Sequence, residues 1–309
     1  MSYADLYLGG SGPLISGSAP SAGPRGDGSN DDGSASPACS VFGVPFDATH
    51  SYRPGCRFGP GAIRSAFHNI EVFHPELGVD LEAVPIRDLG DMPHTASPER
   101  MIDVARRVTE DLLNRGQGPV FMLGGEHLAT YGAYTAFPRG VGYVVFDAHY
   151  DLRDEYGDVR LNHATYLRRI AEERGTDCIL HVGARAFAAE ELTYLRDGGI
   201  RTITDPDVRD GGAPRMLRDF ASSFDSVYAS FDLDVLDPAF APGVGNPEAE
   251  GITPRELFGM ARALASDNIR VAGGDIVELN PSYDTGATAA LAAKILSTLV
   301  ATSQSSGRP

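Results

Sequence analysis

At 309 residues the chain can form one large α/β domain or two small ones, and 26 basic against 42 acidic residues leave it at −16, without the basic face a nucleic-acid partner requires. Cys39, Cys56 and Cys178 are far apart and lack CxxC spacing, which argues against a disulfide framework or a thiolate metal site and for a reducing, cytoplasmic setting. No apolar run approaches the ~20 residues of a membrane span, and the N-terminus has no cationic segment leading into an apolar one.

Residues 9–37 are dominated by Gly, Ser, Pro, Asp and Ala, so ordering them would cost entropy with almost nothing buried in return, and residues 1–38 read as a flexible tail. Order is expected to begin with an apolar strand over 39–46. The next stretch, DATHSYRPGCRFGPGAIRSAF, has Gly or Pro at 54, 55, 59, 60 and 61, which predicts a long shaped loop and then a helix through Ile63, Phe67 and Ile70. A strand over 84–88 precedes a helix capped by Ser97, with Pro98 in its first turn and Ile102, Ala105, Val108 and Leu112 on its apolar face. Strands are predicted over 119–123, 143–146, 178–182, 200–203, 227–231 and 269–276. Helices are predicted over 126–137, 164–174, 188–196, 216–221, 253–265, where Thr253 and Glu256 form a capping box, and 285–301. This alternation implies one α/β domain over 39–304, a three-layer α/β/α arrangement around a mostly parallel, eight-stranded sheet.

Three of these strands end in polar crests. The 143–146 strand runs into Asp147, His149 and Asp151; the 227–231 strand runs into Asp232 and Asp234; and PVFML runs into Gly124, Gly125, Glu126 and His127. Residues two apart on an extended strand face the same side, so each crest directs its side chains to the sheet's C-terminal edge, where open parallel sheets bind ligands. Each crest alone is a modest signal, since DxD also occurs in phosphatases, glycosyltransferases and calcium loops. Together they supply four aspartates and two histidines, whose charge two divalent cations could balance and whose mutual repulsion would otherwise raise their pKa values. Oxygen and imidazole donors without thiolate suit Mn²⁺ over structural zinc, with Ni²⁺, Co²⁺ and Fe²⁺ left open. Two such ions acidify a shared water, which points to hydrolysis. A phosphatase or glycosyltransferase would need phosphate-binding groups, yet no Gly-rich P-loop or basic cluster accompanies the aspartates. A non-catalytic binding protein would be expected to lack a ligand.

The segments GVPFDATHSYRPGCRFGPGAIR, GGEH, FDAHYDLRDEY, NHATYLRR, SFDLDVLDPAFAPGVGNPEAEGIT and GGDIVELNPSYD resemble the ureohydrolases, the family of arginase and agmatinase, and most closely archaeal and bacterial agmatinases. The resemblance implies an arginase-like fold and two Mn²⁺ per chain. His127, Asp147, Asp151 and Asp232 would hold one ion, and Asp147, His149, Asp232 and Asp234 the other, with Asp147 and Asp232 bridging. It also implies that Asp151 accepts a hydrogen bond from the attacking hydroxide, that Glu278 holds the guanidinium, and that His163 serves as proton shuttle or substrate contact. From the residues alone, His163 reads as a surface histidine and Glu278 as a helix-capping acid. His50, His68, His74, His94 and His181 are assigned no role in the site. Glu126 departs from the aspartate more usual in the family's GGDH, and Tyr150 fills the variable position of DAHxD.

The resemblance also implies a homo-trimer or homo-hexamer and a small cationic guanidino substrate. Asp154, Glu155 and Asp158, in the segment after DAHxD, should repel the α-carboxylate of arginine and tolerate the ammonium of agmatine, so Asp154 is a candidate substrate contact. Agmatine leads on this reading, with aminopropylagmatine as the runner-up and guanidinobutyrate or arginine behind. Lys294 is the only lysine, and this acidic, lysine-poor composition suggests a protein adapted to high salt, where charge repulsion is screened.

Overall fold

Strand β1 (Cys39–Val44) alternates its side chains between two buried faces, Val41 joining one hydrophobic core and Phe42 the other. The same alternation recurs in β5 (Val120–Gly124), where Phe121 and Leu123 face one core and Met122 the other, and in β6 (Val141–Phe146), where Val144 and Phe146 oppose Tyr143 and Val145. Strands buried on both faces in this way belong to a parallel sheet covered by helices on either side. Burying each such aromatic or aliphatic side chain contributes about 1.5–3 kcal/mol.

The computed structural model describes residues 3–4, 8, 14, 37–266 and 268–305. Of the tail expected over 1–38, all but residues 3, 4, 8, 14, 37 and 38 lies outside the described residues. The remaining strands are β2 (Phe73–His74), β3 (Val79–Asp80), β4 (Ile86–Asp91), β7 (Ile179–Val182), β8 (Arg201–Ile203), β9 (Ser226–Asp232) and β10 (Val271–Val277). Eight of the ten strands among the described residues form one sheet in the order β4-β1-β5-β10-β9-β6-β7-β8, and every pairing in it is parallel. The expected three-layer fold is therefore present, with an entirely parallel sheet. Helices Gly59–Phe67, Pro254–Ala263 and Ala287–Ser305 cover one face, while Pro98–Asn114, Leu128–Thr135 and Tyr166–Arg174 cover the other.

Local signals fixed several helix starts. Ser97 Oγ accepts from the Arg100 amide at 3.2 Å, and the box at Thr253 closes with Thr253 N–H donating to Glu256 at 2.7 Å. Among the described residues, the short antiparallel pair β2–β3 and the helix Asp205–Arg209 are elements without a sequence expectation. The helix expected to reach Ile70 stops at Phe67, and Ile70 instead packs half-buried against the core. No helix among the described residues is long and apolar enough to cross a membrane, and all three cysteines are free and buried.

Candidate metal centre and active site

The strand order brings β5, β10, β9 and β6 side by side, so four crests that are distant in sequence meet at one edge of the sheet. β5 ends in Gly124, and Gly125 and Glu126 lead to His127; after β10 comes Glu278; β9 ends in Asp232, followed by Asp234; after β6 come Asp147, His149 and Asp151. Gly125 is required here because a Cβ would lie 1.9 Å from the carbonyl oxygen of Phe46. That carbonyl accepts the Glu126 amide at 2.8 Å, stitching the loop after β1 to the crest after β5.

His127 Nδ1 lies 3.0 Å from Asp147 Oδ2, 3.1 Å from Asp232 Oδ2 and 4.0 Å from Asp151 Oδ2. His149 Nδ1 lies 3.0 Å from Asp234 Oδ2 and 3.6 Å from Asp147 Oδ1. Two donor groups result, His127 with Asp147 and Asp232, and Asp147 with His149 and Asp234, sharing the two oxygens of Asp147. Asp232 belongs to the first group only at these distances, and Asp151 stands just beyond both. The groups are held from behind: His127 Nε2 meets Ser230 Oγ at 2.9 Å, and Ser230 donates to Asp275 at 2.6 Å. Backbone amides of His149 and Asp234 donate to Asp147 and Asp232 at 2.6 and 2.8 Å, fixing each carboxylate.

Electrostatics supply the test of fit for cations. His127 Nδ1 and Asp147 Oδ2 are buried without a hydrogen-bond partner, an arrangement costly in a low-dielectric interior unless another group satisfies it. Burial, with the charges of Asp234 and Asp147 added, pushes Asp232 well above the usual carboxylate range, and burial plus Asp147 does the same to Asp151. Burial opposes charge on both histidines, yet the Asp147 carboxylate beside His127 brings it up to about 8, and Asp234 and Asp147 raise His149. These residues compete for too few protons. Buried, preorganised oxygen and imidazole donors with excess negative charge fit divalent cations.

A cavity of about 430 Å³ opens over this centre, and His149, Asp151, His163, Asp232, Asp234 and Glu278 are among its lining residues. Glu278 and Asp151 are non-glycine residues with left-handed backbones, φ 65° and 52°, a conformation that packing must enforce and that concentrates at functional sites. His163 is buried, and burial lowers its pKa to about 4, leaving the ring neutral at pH 7. The expectation of a surface histidine from the residues alone is thus corrected; His163 N–H donates to Thr49 Oγ1 at 3.0 Å and its Nε2 meets Ser51 Oγ at 3.1 Å.

Two further readings change. Asp154 is absent from the cavity lining: its carboxylate faces Arg169, Arg160 and Arg168 at 2.8, 3.1 and 3.8 Å, because the helix Tyr166–Arg174 presents Arg168 and Arg169 to it and the preceding loop presents Arg160. His50, expected to have no part in the site, has Nε2 3.1 Å from Glu278 Oε2 and stacks on His163 at 5.4 Å. Burial of Glu278 would raise its pKa, but His50 holds it below the usual range. His50, Cys56 and Glu278 form a third donor group, yet burial keeps the Cys56 thiol protonated and the His50–Glu278 hydrogen bond satisfies the other two. His50 lies in the loop after β1, and the Gly/Pro-rich shape of that loop was the one sequence signal that it lined a site. His181 Nε2 meets the His149 carbonyl at 2.7 Å, and His74 meets Ser297 at 2.6 Å, whereas His68 and His94 are exposed.

The arginase-family profile matches residues 37–301. The chain belongs to the arginase family. It is an agmatinase-like ureohydrolase of that family, a hydrolase acting on C–N bonds. It is 36% identical over 262 residues to the agmatinase of Bacillus subtilis (strain 168), an alignment covering 83% of this chain and 88% of that protein. It is also 36% identical over 258 residues to the N(1)-aminopropylagmatine ureohydrolase of Thermococcus kodakarensis, covering 83% and 87%. The crystal structure of the agmatine ureohydrolase of Thermoplasma volcanium superposes with a TM-score of 0.81 at 36% identity, covering 87% of this chain and 91% of that one.

Proposed function

We propose that this arginase-family ureohydrolase uses two Mn²⁺ ions to release urea from agmatine, leaving putrescine. The observation that carries the reading is the pair of donor groups sharing Asp147 beneath a cavity that Glu278 also lines. His127, Asp147, Asp151 and Asp232 would hold one ion, and Asp147, His149, Asp232 and Asp234 the other. Neither group contains a thiolate, which favours Mn²⁺. Bound there, the ions supply Lewis acidity that makes water nucleophilic near neutral pH.

The chain's own residues provide the rest. Glu278, kept ionised beside His50, pairs with the planar guanidinium and orients its central carbon. Asp151 faces the same cavity and accepts a hydrogen bond from the attacking water. His163, neutral at working pH, takes up a proton and passes it to the departing amine, without which putrescine would have to leave as an amide anion.

Agmatine is favoured by charge. Glu191 and Glu248 line the cavity with Asp151, Asp232 and Asp234, and among the described residues that line it Arg153 is the only cationic side chain apart from the histidines. An α-carboxylate would meet repulsion there, whereas a terminal ammonium is accommodated. Aminopropylagmatine is the second reading, supported by the Thermococcus relative's equal identity and by Tyr52, Tyr156 and Phe187, aromatic residues exposed along the same cavity. Comparing kcat/KM for agmatine, aminopropylagmatine, arginine and guanidinobutyrate on Mn²⁺-loaded enzyme decides between them; preference for arginine overturns the charge argument. We further infer a cytoplasmic homo-trimer or homo-hexamer, for which analytical ultracentrifugation is the check.

A further inference from the structure

We propose that Glu126 is a positioning residue that sets the place of His163 through Thr49; the inference rests on His163 acting in the reaction proposed above. The Glu126 side chain is fully buried and is spent on one residue. Its Oε2 accepts the Thr49 amide at 2.9 Å, and its Oε1 accepts the Thr49 hydroxyl. The Thr49 hydroxyl is thereby engaged by Glu126, while its oxygen retains lone pairs. One of them accepts the backbone N–H of His163 at 3.0 Å. The Thr49 carbonyl takes the Asn162 side-chain amide at 3.3 Å, and Asn162 Oδ1 in turn caps the turn His163–Thr165 by accepting from Ala164 at 3.0 Å.

The length of the acid matters because the backbone around it cannot move to compensate. The Gly125 carbonyl accepts from Glu278 N–H at 2.8 Å, Glu126 N–H donates to Phe46 at 2.8 Å, and His127 N–H donates to Glu278 Oε1 at 2.9 Å. With three consecutive residues pinned, an aspartate would stop about 1.5 Å short of Thr49, one C–C bond length. Glu126 therefore fits this loop as a matched spacer. It joins the crest that carries His127 to the turn that carries His163, across separations of 77 and 114 residues.

The test uses Mn²⁺-loaded full-length enzyme carrying T49V, T49S, E126D or T49V with E126D. T49V removes the hydroxyl relay at nearly constant volume, T49S restores it, and E126D shortens the spacer. We expect T49V and E126D each to lower kcat/KM for agmatine about ten- to hundred-fold, the penalty of a sub-ångström to 1 Å misplacement, while metal content stays equal to wild type. T49S should recover to within a few-fold of wild type. The double variant should be no worse than T49V alone, because both break one chain of contacts. Hydrogen-exchange mass spectrometry should find faster exchange in a peptide covering residues 160–165 in T49V and E126D but not in T49S. Wild-type turnover and exchange in T49V, losses that multiply in the double variant, or metal loss in E126D would each overturn the proposal. Should the wild-type enzyme release no urea from any guanidino compound, the functional reading fails, and the exchange data still decide whether Glu126 places His163. If T49V does not fold, E126D and T49S carry the same comparison.

Discussion

The backbone amide of His127 donates to Oε1 of Glu278 at 2.9 Å, linking a metal-group histidine to the carboxylate proposed to hold the guanidinium. The bond is returned by the Glu278 amide, which donates to the Gly125 carbonyl at 2.8 Å. Two adjacent crests thereby become one rigid piece, and the left-handed backbone of Glu278 is the conformation that lets one residue make both contacts.

Glu278→Gln should therefore separate substrate handling from metal binding. The amide still has an oxygen to accept from His127 but lacks the charge that pairs with a guanidinium. Metal content is expected to match wild type, with kcat/KM for agmatine down by about 10²–10³-fold, the usual scale for losing one preorganised charge contact. Unchanged kinetics would remove Glu278 from the substrate site.

Asp232→Asn should do the opposite. Asp232 Oδ2 lies 3.1 Å from His127 Nδ1 and its Oδ1 accepts the Asp234 amide, so its loss disturbs both donor groups. Elemental analysis after gel filtration should find fewer ions per chain, and urea release should fall close to background. A variant that kept wild-type metal content and turnover would contradict the assignment.

Gly125→Ala tests the stitch between β1 and β5. The new methyl would meet the Phe46 carbonyl at 1.9 Å, and backbone on both sides is hydrogen-bonded, so neither partner can yield cheaply. A loss of about 3 kcal/mol or more, or failure to accumulate as folded protein, is expected in denaturant unfolding. A midpoint equal to wild type would mean that the loop relaxes freely.

Acid should weaken the fold through its buried neutral histidines. Burial, aided by Lys294 and Arg262, lowers His74 from 6.5 to about 4, and burial lowers His181 to about 4 as well. The unfolded chain takes up these protons near pH 6.5 and the folded chain only near pH 4, so their stabilising contribution is complete above pH 6.5 and is lost as pH falls toward 4. His74→Gln should flatten part of that slope, by an amount on the order of 2 kcal/mol or several degrees in Tm. His74 is remote from the cavity, which makes it the cleaner of the two to read. An unchanged slope would assign the acid sensitivity elsewhere.

Strand and helix positions were largely written in local pattern. Eight predicted strands correspond to the eight of the sheet, and the Ser97 and Thr253 caps sit where their residue types demanded, because capping and period-two burial depend only on near neighbours in the chain. The residues of the two donor groups were legible for the same reason, since Asp147 with His149 and Asp232 with Asp234 each follow a buried strand by fixed short offsets.

Which strands stand next to one another was decided only in three dimensions. The order β1-β5-β10-β9-β6 places Glu278 against His127 over 151 residues and His50 against Glu278 over 228, and neither contact has a local signature. Asp154 carries the same lesson in reverse: its charge suggested a substrate contact, but three arginines in space claim its carboxylate. Side-chain periodicity reports which face of a strand is buried; what a carboxylate or imidazole meets there depends on chain closure and packing, which bring together groups that the linear sequence keeps apart.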